Sequence, residues 1–146
     1  MIGFNHALVG GLISKLLPLP LAIPAAFASH FVLDALPHYG IPAKKRNTST
    51  FWKVFFAIDF MATFSLAVWT ILNHHYAMFV CGLSAVLPDF VWVVHVARKR
   101  SFDFTGVKSR YEKWHIRIQH YEFPGGIWIE LPLVALLSYA LFVRSN

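Results

Sequence analysis

"FWKVFFAIDFMATFSLAVWTIL", residues 51–72, is almost unbroken apolar sequence with one lysine near its start and one aspartate, Asp59, inside it. A helix over this stretch is long enough to cross the hydrocarbon core of a bilayer, which takes about 20 residues. Residues 76–97 read the same way. The whole chain agrees with them: 57% of its residues are hydrophobic, 14% are charged, and its mean hydropathy is +0.54. A soluble domain carries about 25% charged residues. The expectation is therefore an all-α integral membrane helical bundle, in a single membrane-embedded domain over residues 1–146.

Three further apolar segments complete a set of about five membrane segments: residues 2–17, 20–36 and 127–143. The first two are short, and "PLP" at 18–20 between them predicts a tight helical hairpin. Gly3, Ala7 and Gly11, spaced by four, give the first segment a ridge of small residues that lets another helix approach closely. Tyr111, Trp114, Ile118 and Tyr121 form an apolar stripe beside a basic one of Arg110, Lys113 and Arg117. That pattern predicts one interfacial amphipathic helix. "AFAS" at 26–29 has the small residues of a leader cleavage site, but no basic region precedes it and Lys15 interrupts the run, so the segment reads as retained.

The net charge is +6, and eleven of the thirteen Lys and Arg lie in two stretches, 44–53 and 98–117. Basic clusters that flank apolar segments follow membrane topology, so no nucleic-acid partner is expected. The same rule places loops 41–50 and 98–122 in the cytoplasm and the turn "NHHY" at 73–76 outside. The one cysteine, Cys81, excludes a disulfide within the chain and a Cys-rich zinc knuckle.

Four of the seven acidic residues, Asp34, Asp59, Asp89 and Glu130, lie within apolar segments, together with His6 and His30. Each ionised group at membrane depth costs at least about 2.5–3.5 kcal/mol. Counted along helices at ~1.5 Å per residue, all six fall within about 12 Å of the cytoplasmic ends of their segments. A single convergent site is the simplest account, and no Lys or Arg lies beside it to neutralise the carboxylates. Histidine nitrogen with carboxylate oxygen suits zinc, with manganese or iron as other choices. His30 and Asp34, four apart, share one helix face as paired metal ligands do. The expected cofactor is thus one or two divalent ions held by His6, His30, Asp34, Asp59, Asp89 and Glu130. Carboxylates that share protons, as in a transporter relay, are the alternative. His38, past Pro37 at the cytoplasmic mouth, and His115 and His120, beside the basic stripe, are candidate acid–base groups. Arg110, Lys113 and Arg117 are candidate contacts for an anionic headgroup.

His6, "LPD" at 87–89 and "HIRIQH" at 115–120 resemble the membrane-bound metal-dependent hydrolases, small inner-membrane proteins that include LexA-regulated members. That family pairs Leu-Pro-Asp with a later His-Arg-x-x-Thr-His, and the interval between the two histidines is the same here. Ile116 and Gln119 stand where the family motif has Arg and Thr. The resemblance implies a metal and a membrane more than a particular substrate. Together these readings predict hydrolysis at the cytoplasmic leaflet of a bacterial or archaeal plasma membrane, with a phosphoester of a lipid headgroup as substrate. The other reading is a divalent-cation or proton transporter using the same cluster; oligomeric state is not legible.

Overall fold

The computed structural model describes residues 1–102 and 109–143, without the side chains of residues 43 and 44. Lys108 and Arg144 lie outside the described residues. The chain is all-α apart from one two-residue bridge. Its helices are α1 (Gly3–Leu16), α2 (Leu19–Asp34), the short α3 (Ala43–Arg46), α4 (Thr50–Leu72), α5 (Tyr76–Val86), α6 (Phe90–Lys99), α7 (Arg110–Ile118) and α8 (Ile127–Phe142). Among the described residues, three stretches are long and apolar enough to cross a membrane: Thr50–Leu72, Tyr76–Lys99 and Pro124–Phe142, with mean hydropathies of 1.8, 1.9 and 1.6. At ~1.5 Å per residue α1 and α2 reach only about 21 and 24 Å, short of a ~30 Å hydrocarbon core. They form the expected hairpin, with Pro18 at the N-cap of α2.

α1 is the central element and packs against α5, α2, α8 and α4. Its small residues explain why. A Cβ built on Gly10 would stand 2.5 Å from the Cys81 carbonyl oxygen and 2.9 Å from the Gly82 Cα, so α1 and α5 touch backbone to backbone. Ala22 and Ala26 of α2 pack with Cys81 and Ala85 of α5 in the same manner. Close approach of small residues is how helices gain dispersion contact where lipid removes the hydrophobic drive to associate. A second buried cluster, Ala7, Leu8, Leu66, Met78 and Leu141, joins α1 to α4, α5 and α8.

Pro88 breaks the second long span. Residues Leu87–Asp89 form a single 3-10 turn between α5 and α6, because proline has no N–H for the helical ladder and its ring crowds the preceding turn. Two carbonyls at this break take side chains. Ala85 accepts from His30 Nδ1 at 2.8 Å, and Pro88 accepts from the Tyr111 hydroxyl at 3.1 Å.

Two local features depart from the sequence reading. β1 (His38–Tyr39) pairs in parallel with β2 (Glu122–Phe123), His38 opposite Glu122. Gly126 makes this possible, because a Cβ there would collide with the His38 carbonyl. The amphipathic helix α7 ends at Ile118, so Tyr121 lies beyond its apolar stripe. Lys15, isolated near the end of α1, donates to the Leu141 carbonyl at 2.9 Å in the last turn of α8, where the helix dipole favours a cation.

Replacing Gly10 with valine is expected to destabilise the protein by at least about 1–3 kcal/mol. The clash is with backbone rather than with a movable side chain. Thermal unfolding in detergent measures it, and an unchanged midpoint would contradict the α1–α5 contact.

Candidate metal centre

α2 places His30 and Asp34 one above the other on a single face. That face meets the break after α5, which carries Asp89, and α7, which carries His115. His30, Asp34 and His115 are completely buried. One ligand atom from each of His30, Asp34, Asp89 and His115 lies within 4.8 Å of every other, an arrangement that can hold a metal ion.

The distances carry the chemistry. The Nε2 atoms of His30 and His115 are 3.0 Å apart. Asp34 Oδ2 lies 2.9 Å from His115 Nε2 and 3.2 Å from His30 Nε2. Asp89 Oδ1 lies 3.7 and 3.8 Å from the same two nitrogens. Four ligands around zinc at ~2.0–2.1 Å stand about 3.3 Å from one another, and the five separations above scatter around that value. The orientation of His30 agrees. Its Nδ1 donates to the Ala85 carbonyl, which turns Nε2 toward the cluster. Two imidazole nitrogens so close to each other and to two carboxylates need a proton or a cation among them.

Asp34 is shared between two sides. Its Oδ2 also accepts from the Gln119 amide at 2.8 Å. Its Oδ1 faces the Met1 amino group at 2.5 Å and His6 Nε2 at 3.2 Å. The His6 ring stacks on His30 with centroids 4.1 Å apart. Among the described residues, His6 Nδ1, His115 Nδ1 and both amide atoms of Asn5 are buried without a hydrogen-bond partner.

Of the six residues expected as metal ligands, the structure brings His30, Asp34 and Asp89 into the group of four, and His6 reaches it through Asp34. Asp59 and Glu130 have other occupations. Asp59 accepts from the Gly3 and Phe4 amides at 2.9 and 2.8 Å. It thereby caps α1, whose own N-cap residue Ile2 offers no acceptor. Glu130 Oε1 accepts from the Ile2 and Tyr39 amides, both at 3.3 Å. The two carboxylates clamp the start of the chain rather than close the shell.

Among the three histidines expected in acid–base roles, only His115 belongs to the cluster. His38 is buried, and its Nδ1 donates to the Leu36 carbonyl at 2.7 Å. Burial lowers its pKa to about 4, helped by the positive Met1 amine, so it is neutral at pH 7. His120 is exposed beside Tyr121. Gln119 was not foreseen as part of the site; its place one helical turn after His115 was the available signal. The neighbouring strap is held by an ion pair between Arg46 and Glu122. Burial raises the Glu122 pKa while Arg46 opposes the rise.

A cavity of about 1110 Å³ lies between α4 and the α5–α6 span. Asp89, Gln119 and Lys113 line one end of it. The Asp89 side chain is 22% exposed whereas Asp34, His30 and His115 are at 0%, so the centre opens on the Asp89 side. Arg110 and Arg117 are exposed on α7 and do not line the cavity.

The chain matches no protein-family model, no curated protein and no solved structure.

Protein purified without chelator is expected to hold zinc, manganese or iron, and the Asp34→Asn, Asp89→Asn double variant to lose it. Gln119→Leu removes only a supporting hydrogen bond and should weaken affinity about 10–100-fold. Mass spectrometry of the elements measures both, and wild-type protein that stays metal-free after incubation with each ion rules out the centre.

His38 yields a pH dependence of fold stability. A folded pKa below the ordinary 6.5 means that the unfolded chain binds the proton first as pH falls. Stability is fully present above about pH 6.5 and falls toward pH 4, by about 2–3 kcal/mol. The melting midpoint should fall as pH is lowered over that window for wild type and fall less for His38→Gln.

Proposed function

We propose that the protein is an integral membrane, metal-dependent hydrolase that acts on a phosphoester of a lipid headgroup at the cytoplasmic leaflet. One observation carries this reading: a buried group of two histidines and two aspartates whose only partly exposed member, Asp89, faces a large apolar cavity. A resident divalent ion supplies Lewis acidity and lowers the pKa of water near neutral pH. Zinc is the preferred ion because the donor set and spacing suit a four-coordinate shell.

The chain's own residues account for the rest. His30 is fixed in one tautomer by the Ala85 carbonyl. Asp34 is fixed by Gln119, His6 and the Met1 amine, so its orientation does not relax when substrate binds. His115, on the amphipathic helix, brings the site to the membrane surface. Lys113, at the cavity rim, offers its ammonium to an anionic headgroup. The resemblance to the membrane-bound metal-dependent hydrolases is consistent with these roles at Asp89 and His115, and at His6, which touches Asp34; His120, which it also carries over, is exposed outside the group.

Hydrolysis is preferred to transport because few polar groups line the described interior onward from the cluster: Asp59 and Thr63 in the large cavity. Toward the other end of the bundle lies a void of about 70 Å³ among Ala7, Leu66, Met78 and Phe79, whose polar side chains are Thr63 and Thr70, and the Thr70 hydroxyl is taken by the Ala67 carbonyl. A permeating cation needs oxygen or nitrogen ligands there.

Phospholipid hydrolysis in mixed micelles with zinc is expected for wild type. Asp34→Asn should reduce it by about 100-fold or more, and Asp89→Asn, at the partly exposed ligand, should do so with an unchanged melting midpoint, since loss of a ligand disables water activation. The opposite pattern, no turnover of any lipid ester but metal flux into proteoliposomes abolished by Asp34→Asn, assigns the cluster to transport.

A further inference from the structure

The cavity is larger than the centre needs. Pockets for drug-sized molecules measure about 300–1,000 Å³, and this one measures about 1110 Å³. Its lining is mostly apolar. Lys113, Gln119, Glu122 and Asp89 line it along with Asp59 and Thr63 of α4, whose other lining residues run from Phe56, Phe60 and Phe64 to Ala67, with Leu83 of α5; the Asp59 carboxylate is taken up by the Gly3 and Phe4 amides. From Trp52 to Ala67 the α4 wall runs about 22 Å at ~1.5 Å per residue, against ~15 Å for the hydrocarbon depth of one leaflet. The wall is also open sideways: Phe64 is 55% exposed, Leu87 53% and Phe90 58%. α4 and the α5–α6 span are both long enough to cross a bilayer, so this opening faces hydrocarbon when they do.

We infer that the cavity holds one acyl chain of a phosphate-bearing membrane lipid, which enters sideways between α4 and α5–α6 and brings its headgroup to Lys113 and Asp89. The substrate is then a whole lipid taken from the leaflet, not a water-soluble phosphoester. Binding of the chain stands on the cavity alone; the fate of the headgroup rests on the hydrolase reading above.

Two features select this occupant. An apolar slot of this length between two spans cannot stay empty in a bilayer, where acyl chains are the surrounding solvent. Charge sets its direction. Lys113 is at the rim and Arg110 and Arg117 are exposed on the same helix, so the anionic end belongs at α7. Arg46 is not needed for this. It is occupied by Glu122, by the Ile41 carbonyl and by the face of Trp52. The Asp89 carboxylate repels phosphate unless a divalent ion lies between them. The chain, not the headgroup, therefore dominates binding when the ion is absent.

The test separates binding from turnover. Chelator-treated wild-type protein is mixed with dioleoyl phosphatidic acid or its dihexanoyl analogue at equal mole fraction in mixed micelles, and bound lipid is counted by native mass spectrometry. One dioleoyl lipid per chain is expected, with the dihexanoyl lipid about tenfold weaker. Leu83→Trp and Ala67→Trp, which fill the cavity away from the metal ligands, should lose about tenfold in dioleoyl binding while binding zinc as wild type does. Melting curves identify a variant that has failed to fold, and the other variant then decides. Equal binding of the two lipids, or wild-type binding by a folded, cavity-filled variant, overturns the inference. Chain-selective binding with no turnover of any lipid by zinc-loaded protein leaves the cavity assignment standing and removes the hydrolase reading. Turnover of a soluble phosphodiester at the rate of the long-chain lipid, unaffected by Leu83→Trp, does the reverse.

Discussion

The structure depends on the compensation of one buried carboxylate, Asp34. A carboxylate wholly removed from water costs several kcal/mol unless cations and hydrogen-bond donors surround it. Here both oxygens are used. Oδ1 faces the Met1 amine and His6, and Oδ2 faces His30, His115 and Gln119. Those partners come from the chain start, α1, α2 and α7, so satisfying one side chain requires four parts of the sequence to meet. Leaving any of them out would strand a charge in an apolar interior. The same requirement makes the place suited to a divalent ion.

The surrounding packing allows that meeting at close range. Helices α1, α2 and α5 touch through Gly10, Ala22, Ala26 and Ala85 rather than through large side chains. Their backbones come near enough for side chains of two helices to share one partner, as His30 does when it spans from α2 to the Ala85 carbonyl. The proline break supplies the remaining freedom. Without it the α5–α6 span would be an unbroken ladder whose carbonyls are occupied. With it, Asp89 turns toward the centre, and the Pro88 carbonyl anchors the helix that brings His115 through Tyr111.

The outside of the molecule is governed by the opposite rule. Only 11% of the most apolar window of α4 is buried within the protein, and the helix presents Phe, Ile and Met side chains outward. In water such a surface would drive aggregation; against lipid it is at no disadvantage. Most of the charged groups lie in the interior and at one end, where the β1–β2 strap, Arg46 and Glu122 hold the loops together; the other end carries Lys15 and the turn Asn73, His74 and His75. The cavity between α4 and α5–α6 joins these two regimes, with Phe56, Phe60 and Phe64 along α4 and Asp89, Lys113 and Gln119 also in its lining.

The helices were legible because hydropathy acts locally: residues 51–72 and 76–97 are long and apolar whatever surrounds them, and "PLP" breaks a helix by its own covalent geometry. His30 and Asp34 were legible as a pair because four residues make one helical turn. The cost of burial also marked Asp59, Asp89, Glu130 and His6 as residues needing partners. It could not say which partners. Asp59 and Glu130 obey the same desolvation rule as Asp34, yet they satisfy it with the backbone amides of residues 2–4 and 39. Gln119 offered only its place one helical turn after His115, because an amide at the end of a polar helix is ordinary until its neighbour is known. The β1–β2 pairing was equally hidden, since two residues carry no periodicity. The sequence by itself determined which segments are helical and that the buried charges must be neutralised, because both follow from the free energy of single residues. Only the tertiary structure decided which charge meets a histidine and which meets an amide, because that depends on distances between groups up to 128 positions apart in the chain.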